Sequence, residues 1–225
     1  MDLKVRNFKY KDEVIIEDVL FKVKSNKVNY LIGENGSGKS TLIQIFLGLI
    51  QGENIHRDYQ LRNDYVYFMQ AIPMLDLSCK KNIQLILGIL FNKFNISLMD
   101  IESRVDKHIF NFFEKNWEKK YSDLSGGEAR LLQLFCYLQT DKKLVVLDEP
   151  TANIDRLNVT YILNYIQNQN KTFLITTHDY RDLFATENYS VTCIEDGKVS
   201  FFGDKDEFES IETFESDFLN QFTNR

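Results

Sequence analysis

The sequence predicts an α/β fold with a mixed, mostly parallel central sheet, an antiparallel β-subdomain at the amino end and an inserted α-helical subdomain. Three observations predict it. Short apolar runs at 28–32, 65–69, 144–147 and 172–176 each end at a polar or glycine-rich corner, as strands buried on both faces of a parallel sheet do. Alternating and β-branched stretches fill residues 3–24, which suits antiparallel strands. From about 73 to 138 the spacing turns helical, with Val105, Ile109, Phe112 and Phe113 followed by Leu131, Leu134, Phe135 and Leu138.

Taken in order, Val14-Ile15-Ile16 and the run 19–23 supply the antiparallel strands. The buried run 28–32 then leads into Gly33-Glu34-Asn35-Gly36-Ser37-Gly38-Lys39-Ser40-Thr41 and on into helical Leu42-Ile43-Gln44-Ile45-Phe46. This is the Walker A pattern, set between a strand and a helix. Its glycines let successive backbone N–H groups turn around an anion, and the helix adds its positive end. Lys39 is expected to reach the β and γ phosphates of a nucleotide, and the Ser40 hydroxyl to hold Mg²⁺.

Further on, the run 144–147 passes straight into Asp148-Glu149-Pro150. Neighbouring strand residues point to opposite sides, so the two carboxylates are expected to do different work. Asp148 is read as a Mg²⁺ ligand through the ion's water shell, and Glu149 as the general base that polarises the attacking water. Before a helical run beginning near Ala129 stands Leu124-Ser125-Gly126-Gly127-Glu128. A serine and two glycine amides at a positive helix end make a second anion site; a helix cap would explain the serine and leave the paired glycines unexplained. The stretch 191–201 reads as a hairpin turning on Asp196-Gly197, and the acidic, aromatic tail beyond it is expected to be helical.

With its motifs in this order, the chain resembles the nucleotide-binding domain of ABC ATPases, whose signature is matched by residues 124–128. The resemblance covers essentially the whole chain and implies the P-loop NTPase fold of the ABC type, with ATP and Mg²⁺ as ligands. It implies that Tyr10 stacks on adenine, that Gln70 is the Q-loop glutamine and joins Ser40 and Asp148 at the metal, and that Thr151-Ala152-Asn153-Ile154-Asp155 is the D-loop. His178 matches the switch histidine that contacts the γ-phosphate, so Glu149, His178 and Lys39 form the expected catalytic set. Two such domains are implied to pack head to tail, with ATP on one phosphate loop completed by Ser125, Gly126, Gly127 and Glu128 of the other. The implied partners are a membrane-spanning permease on a separate chain and a second nucleotide-binding domain, identical or related. Two features depart from the family pattern: a short segment from Gly48 to Tyr65, and bulky Leu134-Phe135-Cys136-Tyr137-Leu138 where small residues are usual. Both bear on the partner surface rather than on the ATP chemistry.

Composition narrows the remaining choices. A length of 225 residues with 44% hydrophobic residues suits one domain spanning 1–225, with the helical subdomain at about 73–138. The net charge of −6 disfavours a surface built to neutralise nucleic-acid phosphates, so no nucleic acid is expected as a partner. Apolar runs such as 42–50 and 83–91 fall well below the roughly 20 residues needed to cross a bilayer, and the charged amino terminus does not read as a secretory signal. Cys79, Cys136 and Cys193 have no metal-ligand spacing. The chain is therefore expected in the cytoplasm, peripheral on the inner face of the cell membrane through its permease. The leading expectation is a transport ATPase, with export of a peptide, lipid or drug favoured over import. The alternatives are a soluble non-transport ABC ATPase of the iron-sulfur assembly type and a nucleotide-dependent binding module. The latter would be marked by loss of Glu149, Lys39 or His178, all of which are present.

Overall fold

The computed structural model describes residues 1–62, 64–69, 75–213 and 217–222. Alternation near the amino end sends Leu3 and Val5 of β1 (Asp2–Tyr10) and Val19 and Phe21 of β2 (Glu13–Lys22) to one buried face. The two strands pair antiparallel. The chain then enters β3 (Val28–Ile32), buried at every position, and α1 (Lys39–Phe46), which turns Leu42, Ile43, Ile45 and Phe46 inward. A three-residue strand, β4 (Ile55–Arg57), adds to the free edge of β1 and completes a sheet of order β2-β1-β4. It gave no sequence signal, being too short to show a period.

The second sheet has six strands in the order β5-β6-β7-β3-β8-β9. These are β5 (Tyr65–Phe68), β6 (Leu144–Leu147), β7 (Thr172–Thr177), β8 (Tyr189–Glu195) and β9 (Lys198–Asp204) around the central β3. All neighbouring pairs run parallel except β8 with β9, which turn on Asp196 and Gly197, both at positive φ. The sheet is therefore mixed, as expected. One expectation needs correction: β5 is not buried on both faces, because it is the edge strand, and Tyr65, Val66 and Tyr67 are only half-buried.

Between β5 and β6 the chain builds α2 (Cys79–Leu90), α3 (Leu98–Glu102), α4 (Lys107–Asn116) and α5 (Gly126–Leu138). The expected start of this subdomain at Pro73 lies outside the described residues. The bulky stretch of α5 is interior: Phe135 is fully buried and meets Phe112, Phe113, His108 and Tyr161 edge-on. Tyr137 does the same against Phe68, so the unusual side chains fill the seam between helices and sheet rather than the surface. After β6, α6 (Arg156–Gln167) and α7 (Tyr180–Phe184) flank β7, and α8 (Lys205–Glu209) and α9 (Asp217–Asn220) close the chain.

Two apolar cores result. One joins the lobe helices, α6, α7 and one face of the central sheet; the other joins α1, the opposite face and the amino-terminal sheet. Each fully buried Leu, Ile or Phe contributes about 1.5–3 kcal/mol relative to exposure. The three cysteines are buried free thiols, and no helix among the described residues is long and apolar enough to cross a membrane.

Candidate active site

The phosphate loop begins where the backbone must pass closest to its neighbours. A Cβ on Gly33 would lie 2.3 Å from the Ile194 carbonyl oxygen, so only glycine fits between β3 and β8. Gly38 holds φ at 98° as the N-cap of α1, with no side-chain cap, while Asn35 and Gly36 are exposed. The loop is braced from outside, since Gly197 N–H donates to the Ser37 carbonyl at 3.2 Å. The hairpin turn is thus a buttress, a role its sequence did not announce. Ser37 Oγ is buried without a hydrogen-bond partner.

Lys39 is folded back onto this loop. Its ammonium donates to the carbonyls of Gly33 at 2.8 Å and Glu34 at 2.7 Å. Burial lowers its pKa below the ordinary lysine value, an effect opposed by Glu149, Asp148 and Glu34. Next along α1, the Ser40 hydroxyl donates to Asp148 Oδ2 at 3.0 Å, and Thr41 follows half-buried. Lys39, Ser40 and Asp148 are therefore brought together from positions 108 residues apart.

Asp148 and Glu149 lie just past the end of β6, so strand alternation is not what separates them. This corrects the reason expected from sequence. Asp148 is buried and receives a 2.6 Å bond from Thr176 Oγ1 and a longer one from the Tyr67 hydroxyl. Glu149 instead adopts φ 47°, a left-handed conformation costly for a residue with a Cβ, and this turns its side chain toward another partner. Its N–H donates to Thr176 Oγ1 at 2.8 Å, and its carboxylate sits 3.6 Å from Nδ1 of the exposed His178. Thr176 thus holds the two carboxylates apart, accepting from one backbone and donating to the other side chain.

Beyond Glu149 the D-loop residues are tied to α7. Asp182, 1% exposed, accepts from Thr151 Oγ1 at 2.7 Å, Arg156 at 2.8 Å and Thr177 Oγ1 at 3.0 Å. On its other side the same loop leans on the signature: a Cβ on Gly127 would meet the Asn153 carbonyl oxygen at 2.7 Å. That close approach explains one of the paired glycines. Ser125 is the N-cap of α5, which starts at Gly126 rather than near Ala129 because the capping box begins the helix earlier. Its hydroxyl and N–H engage Glu128, whose carboxyl is held below the usual range by these bonds.

Not every candidate joins this cluster. Tyr10 stands 67% exposed at the end of β1, and Gln70 lies outside the described residues. Conversely, Thr176, Asp182 and Arg130 belong to the site's framework although nothing in their local sequence pattern marks them. Arg130 on α5 donates to the carbonyls of Met69, Asp148 and Glu149, and burial lowers its pKa.

Among the described residues no group of three or more His, Cys, Asp or Glu is placed to hold a metal. The hard oxygen pair of Ser40 and Asp148 nevertheless suits Mg²⁺, which binds through few carboxylates and takes the rest of its oxygens from phosphates and water. The loop amides, the Lys39 ammonium and the unpartnered Ser37 hydroxyl suit a polyphosphate.

A family model described as "ABC transporter" matches residues 16–152. The chain is 32% identical over 190 residues to a zinc import ATP-binding protein of Buchnera aphidicola, covering 80% of this chain and 74% of that one. It is 30% identical over 192 residues to a probable peptide export ATP-binding protein of Bacillus subtilis, covering 83% and 87%. A dimeric ATP-binding cassette solved with ADP and Pi in a post-hydrolysis state superposes with a TM-score of 0.69 at 20% identity, covering 90% and 97%.

Proposed function

The chain belongs to the ABC transporter family of ATP-binding proteins, and from that premise we propose that Lys39, Ser40, Asp148, Glu149 and His178 form an ATP site worked by two copies in alternation with a permease. It is an ATPase subunit of a transporter, and the proposal concerns how its residues do the work. The observation that carries it is the convergence of the Ser40 hydroxyl, the Lys39 ammonium and two differently held carboxylates at the ends of β3 and β6.

Ser40 and Asp148 would hold Mg²⁺, which neutralises phosphate charge when bound. Lys39 leaves the carbonyls of Gly33 and Glu34 to meet the phosphate, exchanging two neutral acceptors for an anion. Glu149 accepts a proton from the attacking water, with His178 across from it to orient the reacting groups. The Ser125 to Glu128 segment would complete the site of a second copy, and the lobe would receive the permease, with Leu85, Ile89, Phe94 and Met99 exposed there. This arrangement would hold the chain at the inner face of the membrane. Export of a peptide, lipid or drug is the cargo class we put first, supported by the peptide-export relative; the zinc-import relative supports the opposite direction.

The test is Mg²⁺-dependent ATP turnover by the purified chain, with sizing of Glu149→Gln in Mg-ATP. Turnover by the native chain and a nucleotide-dependent dimer of the variant are expected. A multi-helix membrane protein should co-purify with the tagged variant from detergent-solubilised membranes. An Mg-ATP-bound variant that stays monomeric and brings down no membrane protein would overturn the proposal.

A further inference from the structure

Glu149 holds a backbone conformation that must be imposed from outside. At φ 47° it sits in the left-handed region, strained for a residue with a Cβ, and such residues persist only where their surroundings over-determine them. On the amino side the clamp is Thr176, whose Oγ1 accepts the Glu149 N–H from within the central sheet. On the carboxyl side the clamp comes from a different body of the molecule. Arg130, in the second turn of α5, donates one nitrogen to the carbonyls of Asp148 and Glu149, each at 3.1 Å, and another to Met69 at 3.2 Å. Its guanidinium lies 4.1 Å above the ring of buried Phe68, which fixes the plane of the fork.

The placement of those bonds matters. Met69 is the residue after β5, where the chain leaves the sheet for the lobe, while Asp148 and Glu149 follow β6, at the same end of the neighbouring parallel strand. One side chain therefore ties a helix of the inserted lobe to the ends of two adjacent strands of the central sheet. Because the fork is planar and stacked, rotation of α5 relative to the sheet cannot leave all of these bonds intact.

We propose that Arg130 is a positioning residue that couples the orientation of the helical lobe to the backbone posture of Glu149. When the lobe turns, Arg130 slackens or tightens its hold on the Glu149 carbonyl, and the carboxylate moves out of or into place for water. The inference rests on reading Glu149 as the base of the ATPase.

The experiment compares the native chain, Glu149→Gln, Arg130→Gln and Arg130→Lys by steady-state ATP turnover, thermal melting and hydrogen exchange. Arg130→Gln is expected to lower kcat about 10- to 100-fold with KM changed less than about threefold, the size expected when a reacting group shifts by an ångström. Arg130→Lys, which keeps the charge and loses the fork, should recover part of the loss. Exchange should quicken in the peptide covering 147–152 and stay unchanged in β3 and β8. If Arg130→Gln melts early, Arg130→Lys carries the same comparison. Unchanged kcat in both variants, or faster exchange spread evenly over the chain, overturns the coupling. Full turnover by Glu149→Gln would instead overturn the assignment of the base, so the two failures are distinguishable.

Discussion

Two helix starts in this protein lie in glycine-containing motifs, and they are finished in opposite ways. At α1 the N-cap is Gly38, no side chain caps it, and the nearest cation, Lys39, is parked on loop carbonyls. At α5 the N-cap is Ser125, and a reciprocal capping box with Glu128 satisfies the first turn from within. Helix N-termini carry unpaired N–H groups and partial positive charge, so the first start is open to an outside anion. The second is already answered by its own carboxylate. A phosphate arriving at α5 must compete with Glu128, which suits a contact made only when another copy presents nucleotide firmly. We propose on this difference that the first start holds the nucleotide and the second meets phosphate only conditionally.

Perturbations can break or sharpen this contrast. The largest effect is expected from Glu149→Gln, with kcat falling about 10³-fold while Mg-ATP affinity stays within about threefold. Turnover and equilibrium binding measured on one preparation separate chemistry from holding. Lys39→Ala should weaken ATP binding about 100-fold, near 2.7 kcal/mol, read by titration calorimetry. Equal weakening by Ser125→Ala in the isolated chain would falsify the open-versus-closed distinction.

Next in size is Asp182→Asn, which unpairs Arg156 and loosens the loop that leans on Gly127. Because Arg156 is partly exposed, about 2 kcal/mol of stability should be lost, lowering Tm by about 4–8 °C in calorimetry. Ser125→Ala should cost about 1 kcal/mol through loss of the cap, a shift of about 2–4 °C, and a chain that melts unchanged would mean the box contributes nothing.

The smallest effect lies far from either start. Asp204 is held below the usual carboxylate range by hydrogen bonds from Lys24 and Lys27, and both partners are partly exposed. A depressed carboxylate stabilises the fold above its unfolded pKa of about 3.9, and that contribution is lost as pH falls through the lower folded value. Asp204→Asn should remove only about a few tenths of a kcal/mol at neutral pH and flatten the acid limb of a stability profile measured from pH 5 to 2.

Much of this molecule could be read along the chain. The run 28–32 is β3, the phosphate loop follows it into α1, and Asp196-Gly197 makes the expected turn, because each depends on contacts within a few residues. The runs at 144–147 and 172–176 form buried strands for the same reason. Reading failed where the cause lay elsewhere in the chain. Tyr65 to Tyr67 carry an apolar pattern yet form an edge, and strand order is invisible in a single strand. β4 exists only because β1 offers it an unpaired edge.

The same divide runs through the site. Sequence by itself determined the chemical inventory: a loop with glycines where backbone must turn or pass close, an ammonium and hydroxyl at its end, two carboxylates after a buried run, and a serine with paired glycines near a helix start. Those properties are local, set by side-chain chemistry and the one or two residues on either side. Tertiary structure alone decided how the inventory is aimed. Thr176 parts Asp148 from Glu149, Asp182 gathers Thr151 and Arg156, and Arg130 reaches from the lobe to carbonyls just past β5 and β6. Each bond joins residues brought near only by sheet order and helix packing, and a strained backbone such as that of Glu149 is stable only when such distant partners hold it.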